Sequence, residues 1–295
     1  MPSRREVLVA GAAVIAGASP LLTGCRLFGG GANASGARLT SVGLAGPLSM
    51  ARQAADAGGE HIEGSVGRCL MPEKPDQDFK TKLAEARNAP LPVIACNSFV
   101  PGRLKSVGPD ADHAGVLSWA TIVFERAQRV GVGTIVFGSG GSRRVPNGFS
   151  PDRAADQFGE LLKRMAPLAQ RHNIVVAVEP LRPQEVNFIN HLSEGAAIVR
   201  RVDHPAIRLT ADLYHMGHAG DRPGAIRDAG PLIAHTHIAE NKGRSTPGVH
   251  GEDFRPLFTA LKASGYVGPM SIEGKWKPAE LARGFAVVRE QWAGA

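Results

Sequence analysis

An α/β protein folded as a single (β/α)8 barrel is what this 295-residue sequence predicts, and three observations predict it. From residue 38 onward, short β-rich runs alternate with stretches whose apolar residues recur at three- and four-residue spacing, eight of each. Runs such as Ile174-Val175-Val176-Ala177-Val178 are apolar throughout, as parallel strands covered on both faces are. Eight strand–helix units within about 255 residues match one closed barrel. The rival, a doubly wound open sheet, would carry a Gly-rich phosphate turn after its first strand. Leu44-Ala45-Gly46-Pro47 is no such turn, and Gly138-Ser139-Gly140-Gly141 follows the fourth strand instead.

The first strand is expected over 39–44 and its helix over 50–57, which Gly58-Gly59 closes. Strand two over 61–64 precedes a helix over 79–87, and strand three over 92–97 precedes a helix over 116–130 that ends at Gly131. Strand four (134–138) leads to a helix over 153–171, strand five (174–179) to one over 193–201, and strand six (207–212) to a short helical stretch, 224–228. Strand seven (232–238) leads to the helix 254–264, closed by Gly265, and strand eight (270–273) to the last helix, 278–292.

With 43% hydrophobic, 21% charged and 5% aromatic residues, the composition is not that of a disordered, collagen-like or disulfide-scaffold chain. No apolar run reaches the roughly 20 residues that span a bilayer. The formal charge of +7, from 34 basic and 27 acidic residues, is dispersed without a Lys/Arg-rich run or aromatic interleaving, so nucleic acid is not an expected partner.

Residues 1–24 are expected to be a targeting segment outside the fold. Ser3-Arg4-Arg5-Glu6-Val7-Leu8 resembles the twin-arginine export motif. Leu22-Thr23-Gly24-Cys25, at the end of the apolar stretch 7–22, resembles a lipobox, in which the Cys is lipidated. The two resemblances imply a lipoprotein exported already folded, periplasmic or at the cell surface, and held to a membrane by acyl chains on Cys25. The Gly-rich stretch within 25–37 reads as a flexible tether, and the catalytic domain spans 38–295. Of the remaining cysteines, Cys69 and Cys96 could pair in an oxidising compartment, but buried free thiols are the expected state.

In such a barrel the chemistry sits at the C-terminal ends of the strands. The last four expected strands end in residues foreign to an apolar interior: Glu179, Asp212 with His215 three residues on, His235 and His237 in His-Thr-His, and Glu273. Three carboxylates brought together cannot all stay ionised without a counter-charge, and a divalent cation supplies one. An oxygen-rich set with one imidazole suits Mn²⁺ first, then Mg²⁺ or Co²⁺, with Zn²⁺ less favoured. The alternative is that each acid is a rim residue paired with an Arg; four in register on successive strands weigh against it.

These residues also carry a family resemblance. From about residue 38 to 292 the chain resembles the xylose isomerase-like TIM barrels, and most the branch of D-tagatose and D-psicose 3-epimerases and inositol-catabolic isomerases. The matching stretches are Glu179-Pro180-Leu181-Arg182-Pro183-Gln184-Glu185-Val186-Asn187-Phe188-Ile189-Asn190, Asp212-Leu213-Tyr214-His215-Met216, His235-Thr236-His237-Ile238-Ala239-Glu240-Asn241 and Ser271-Ile272-Glu273. The resemblance implies Glu179, Asp212, His237 and Glu273 as metal ligands, with Glu179 and Glu273 doubling as the acid/base pair. It implies that His215 and Glu185 bind substrate oxygens, and that Arg244, one residue later than in the epimerases, binds a further hydroxyl. His235 is expected to orient the site rather than bind metal.

The implied activity is a metal-dependent sugar epimerase or aldose–ketose isomerase. It would act through an enediolate on a keto-sugar or polyol ketone, unphosphorylated because phosphorylated sugars are scarce outside the cytoplasm. A lyase or hydratase on 3-keto-glycosides uses the same chemistry, and a non-catalytic sugar- or metal-binding lipoprotein, alone or as a homo-oligomer, stays open. A zinc endonuclease for abasic DNA would need Asp-x-His where this chain reads His250-Gly251-Glu252. Lys275 and the pair Arg143-Arg144 are candidates for binding an anionic substituent, with an outward-facing solvated charge as the alternative for each.

Overall fold

A computed structural model describes residues 36–295; the leader, Cys25 and nearly all of the tether lie outside the described residues. Eight parallel strands close into a barrel in chain order: β1 (Arg38–Ala45), β2 (Ile62–Ser65), β3 (Val93–Asn97), β4 (Thr134–Phe137), β5 (Val175–Val178), β6 (Ile207–Asp212), β7 (Ile233–Ile238) and β8 (Val267–Ile272). Closure is made by β1 on β8, with Leu44 opposite Ile272.

Ten helices follow the strands: α1 (Ala51–Asp56), α2 (Asp76–Arg87), α3 (His113–Val130), α4 (Gly140–Arg143), α5 (Pro151–Arg171), α6 (Leu192–Val202), α7 (Leu213–Ala219), α8 (Pro223–Ala229), α9 (Arg255–Ala263) and α10 (Leu281–Ala293). Among the described residues, no helix is long and apolar enough to cross a membrane.

All eight expected strands form. The first turns of α2 and α3 begin earlier than the apolar spacing indicates, because Asp76-Gln77-Asp78 and His113-Ala114-Gly115 carry no apolar period. Side-chain caps define the starts of α3 and α5, whereas α2 simply follows Pro75. The Asp112 side chain accepts the Gly115 amide at the head of α3, and Ser150 accepts that of Arg153 at the head of α5. Gly58, Gly131 and Gly265 take the left-handed backbone at the αβ turns where the sequence places them. Pro278–Glu280, expected within the last helix, forms a separate 3-10 turn. The short helices α4 and α7 are not legible from periodicity, since seven residues or fewer cannot show two turns of it.

Between barrel and helices runs a chain of aromatic rings. Phe99, at the end of β3, packs on Phe124 of α3 and on Phe137 of β4, which meets Phe158 of α5 at 5.1 Å. Such stacked and edge-to-face pairs each add about 1 kcal/mol beyond their burial and fasten α3 and α5 to the wall. Inside the barrel, the C-terminal ends of β5 to β8 carry polar side chains instead.

Candidate metal centre and active site

Side chains two residues apart on a strand share a face, so His235 and His237 of β7 both point into the barrel, as do His61 and Glu63 on either side of the start of β2. All four are buried. The Glu63 carboxylate accepts from His235 Nε2 at 2.7 Å and from His237 Nε2 at 2.9 Å. That pins the His237 ring and aims its Nδ1 at the open end of the barrel. There it meets Glu179 Oε1 at 2.8 Å, Glu273 Oε2 at 3.4 Å and Asp212 Oδ2 at 3.7 Å.

Each carboxylate is positioned by its own element. Asp212 ends β6 and caps α7, its Oδ1 accepting the amides of Tyr214 and His215, which leaves Oδ2 facing His237. Glu179 follows β5 directly. A Cβ on Gly138, at the end of β4, would lie 2.2 Å from Glu179 Oε2, so only glycine leaves room for this carboxylate. Glu273 follows β8; its Oε1 accepts Asn97 Nδ2 at 3.0 Å and its Oε2 accepts Arg244 Nη2 at 2.5 Å.

The electrostatics follow from crowding. Burial lowers the affinity of His237 for a proton, but Glu63, Glu273 and Glu179 outweigh it and hold the ring's pKa well above the usual imidazole value. Burial raises Glu63 and Asp212, yet both end below the usual carboxylate range: the two histidines act on Glu63, and His215, His237 and Arg244 on Asp212. Glu273 goes the other way. Burial, with the charges of Glu179 and Asp212, pushes it up to about 8 against the pull of His237 and Arg244, although its side chain remains 23% exposed at the mouth.

The donor set fits a divalent cation. Glu179, Asp212, Glu273 and His237 each offer one ligand atom, all within 4.8 Å of one another, giving three oxygens and one imidazole nitrogen. Glu63, His235 and His237 form a second cluster of that size, but Glu63 sits at hydrogen-bonding distance from both Nε2 atoms and so supports the rings. His235 thus lies beneath the centre, its Nε2 on Glu63.

His215 and Arg244 reach the same centre. The buried His215 has Nε2 3.6 Å from Asp212 Oδ2. Arg244, with a left-handed backbone in the loop after β7, stacks on Tyr214 and spans Asp212 and Glu273, while its buried Nε has no partner. Glu185 lies outside the cluster, its carboxylate on Arg182 Nε at 2.9 Å. Glu240 is buried and accepts four backbone amides, among them those of Gly248 and His250, so it organises that loop.

Arg143 is neither an anion binder nor a solvated charge. It is fully buried and donates to the carbonyls of Gly138, Glu179 and Phe188, clamping the backbone that carries Glu179. The reason is local: α4 turns the chain after β4 back under the β5 loop, where three carbonyls lack partners. Arg144 and Lys275 are exposed.

Sequence reasoning missed Glu63 and Asn97, which belong to the early strands. The one available signal was an acid in the strand Ile62-Glu63-Gly64-Ser65, two residues after His61. A cavity of about 640 Å³ opens beside these residues, bounded by Glu63, Asn97 and Glu273 at one end and by Arg52, Arg68 and Cys69 farther out.

Residues 51–291 match the model of a protein family described as "Xylose isomerase-like TIM barrel". The chain belongs to that family. It is 32% identical over 161 residues to the putative hydroxypyruvate isomerase of Mus musculus, covering 50% of this chain and 57% of that protein. It is 30% identical over 146 residues to the 3-dehydro-D-guloside 4-epimerase of Escherichia coli, covering 48% and 55%. The chain therefore spans about half the length of the curated relatives it matches. The crystal structure of the E. coli 3-keto-D-glucoside 4-epimerase superposes with a TM-score of 0.72 over 86% of this chain and all of that one, at 23% identity, a likeness of fold.

Proposed function

We propose that this protein is a metal-dependent isomerase of the sugar epimerase or aldose–ketose isomerase type, acting on an unphosphorylated keto-sugar, a polyol ketone or a keto-glycoside. The observation that carries the reading is the convergence of Glu179 and Glu273, from β5 and β8, with Asp212 and His237 inside 4.8 Å. Glu179, Asp212, His237 and Glu273 would hold the cation, Mn²⁺ in first place for a set of three oxygens and one nitrogen. When bound, the cation supplies Lewis-acid polarisation of a carbonyl oxygen.

The chain's own groups do the rest. One glutamate takes the proton from the carbon α to the ketone, and the other returns it. Return to the opposite face of the same carbon yields an epimer, and return to the neighbouring carbon yields an aldose–ketose isomer. Arg244, whose buried Nε has no partner among the described residues, and the buried His215 would hold substrate oxygens. The E. coli relatives named for keto-glycosides support including that class among the substrates.

The leader supports a further part of the proposal, that the enzyme works as an exported lipoprotein anchored through Cys25 and meets unphosphorylated sugars. Cell fractionation with a labelled fatty acid tests it: the label stays on the wild type and is lost from Cys25→Ala. The activity itself is tested by NMR in heavy water, with Mn²⁺-loaded protein and a panel of ketohexoses and 3-keto-glucosides. Deuterium entering the carbon α to the ketone, together with an epimer or aldose, is the expected result. Exchange with loss of water or aglycone would assign a lyase. Tight substrate binding without exchange would leave a binding protein and overturn the assignment of Glu179 and Glu273.

A further inference from the structure

Behind Glu63, on the outer side of the barrel wall, the two cysteines of the described residues meet. Cys96 of β3 is the register partner of Gly64 on β2. Cys69 lies on the turn Val66–Leu70, which doubles back over Gly64. A Cβ on Gly64 would lie 2.9 Å from Cys69 Cβ, 3.2 Å from Cys69 Sγ and 3.6 Å from Cys96 Sγ. Cys69 thus occupies the volume that a side chain at 64 would fill. Both sulfurs border the same point over Gly64, at 3.2 Å and 3.6 Å from it, which brings them near the span a disulfide bridges.

The two thiols are not equivalent. Both are buried, Cys96 fully and Cys69 to 4% exposure, but Cys69 also borders the 640 Å³ cavity together with Lys82. The hydrogen bond from Cys96 and then the charge of Lys82 hold Cys69 below the usual thiol value despite burial, while the same bond and burial push Cys96 up. A more acidic thiol at a cavity wall beside a less acidic one within the wall is the arrangement of an attacking and a resolving cysteine.

We infer that Cys69 and Cys96 form a modification site, an attacking and a resolving thiol that a disulfide oxidant converts into an intramolecular disulfide. The Cys69 thiolate attacks one sulfur of the oxidant, breaking its S–S bond and expelling one thiolate. Cys96, losing its proton, then attacks Cys69 Sγ of the mixed disulfide and expels the second. Two protein thiols are oxidised, one disulfide is reduced, and the two protons lost by Cys69 and Cys96 end on the two expelled thiolates, giving two thiols. The product staples the Val66–Leu70 turn, one wall of the cavity, to β3 next to Asn97.

The test uses the reduced full-length chain, oxidised glutathione as probe, and peptide mapping by mass spectrometry, which separates Cys25 from the other two. A Cys69–Cys96 linked peptide is expected, with a Tm raised by ~5 °C. Cys96→Ser is expected to retain glutathione on Cys69, and Cys69→Ser to leave Cys96 unmodified. Two results would overturn the inference. In one, both thiols stay free in the folded protein under conditions that oxidise the urea-unfolded chain. In the other, glutathione modifies Cys96 in Cys69→Ser as fast as it modifies Cys69 in Cys96→Ser.

Discussion

The late and early halves of the barrel build one centre by different means. Strands β5 to β8 deliver the four candidate ligands, each at or just past a strand's C-terminal end. Strands β2 and β3 deliver Glu63 and Asn97, which touch ligands without joining the four. A carboxylate at a strand end is free to face a cation, whereas Glu63, enclosed within the barrel, is committed to two imidazoles. The late half thus supplies ligands and the early half fixes their orientation, a division that substitutions can break.

The largest effect is expected in the late half. Glu273→Gln or Glu179→Gln should lower solvent deuterium incorporation into substrate ~10³-fold, because a proton-transfer group is lost along with a ligand. Glu63→Gln should act differently. It frees the His237 ring and should weaken Mn²⁺ binding ~10–100-fold by titration calorimetry. At saturating Mn²⁺ the turnover rate should largely recover. If Glu63→Gln is as inactive as Glu273→Gln at saturating metal, the division between ligand half and orienting half collapses.

The contrast continues between two buried histidines. His237 is surrounded by carboxylates, which raise its pKa well above the usual imidazole value. His61, between Ser41 Oγ at 2.8 Å and Ser271 Oγ at 3.0 Å, is pushed down to about 3 by burial and by the charge of His235. The two rings are equally buried, and their different partners shift them in opposite directions. Between pH 3 and the ordinary histidine value of 6.5, the unfolded chain takes up a proton at His61 that the folded barrel refuses. Stability from this residue is therefore complete above that range and falls as pH drops through it. Denaturant titrations at pH 7 and pH 5 should show that His61→Gln loses ~2 kcal/mol less than the wild type between the two. Equal losses in both proteins would mean that His61 carries a proton in the folded state.

The same division explains what was legible in the sequence. Strand ends announce their residues: an Asp, Glu or His closing an apolar run has no packing role, so Glu179, Asp212, His237 and Glu273 stand out one by one. Glu63 sits in a four-residue strand, and its partners His235 and His237 lie more than 170 residues away. Periodicity cannot report a pairing across the barrel. Arg143 misled for the same reason. Next to Arg144 it looks like a surface pair, yet a four-residue helix turns one guanidinium under three carbonyls and leaves the other outside. Glu185 shows the converse limit, since the motif that contains it does not fix which way its carboxylate turns.

Asn97 offers the mildest test of the early half. Its amide donates to Glu273 Oε1, while Arg244 engages the other oxygen, so the carboxylate is held from both sides of the mouth. Asn97→Ala removes one neutral donor from a partly exposed carboxylate, worth about 1 kcal/mol, or roughly a fivefold change in rate. Mn²⁺ affinity should hardly move, because Glu273 keeps Arg244 and the other ligands are untouched. Asn97→Asp is the sharper variant: it sets a fourth acid beside Glu273, which already sits near pH 8 for want of compensation. Its rate should fall further than that of Asn97→Ala, and its Mn²⁺ affinity should rise as the added charge draws the cation. If both variants lost metal equally, Asn97 would belong with Glu63 as a support of the ligand set, and Arg244 alone would not suffice to orient Glu273.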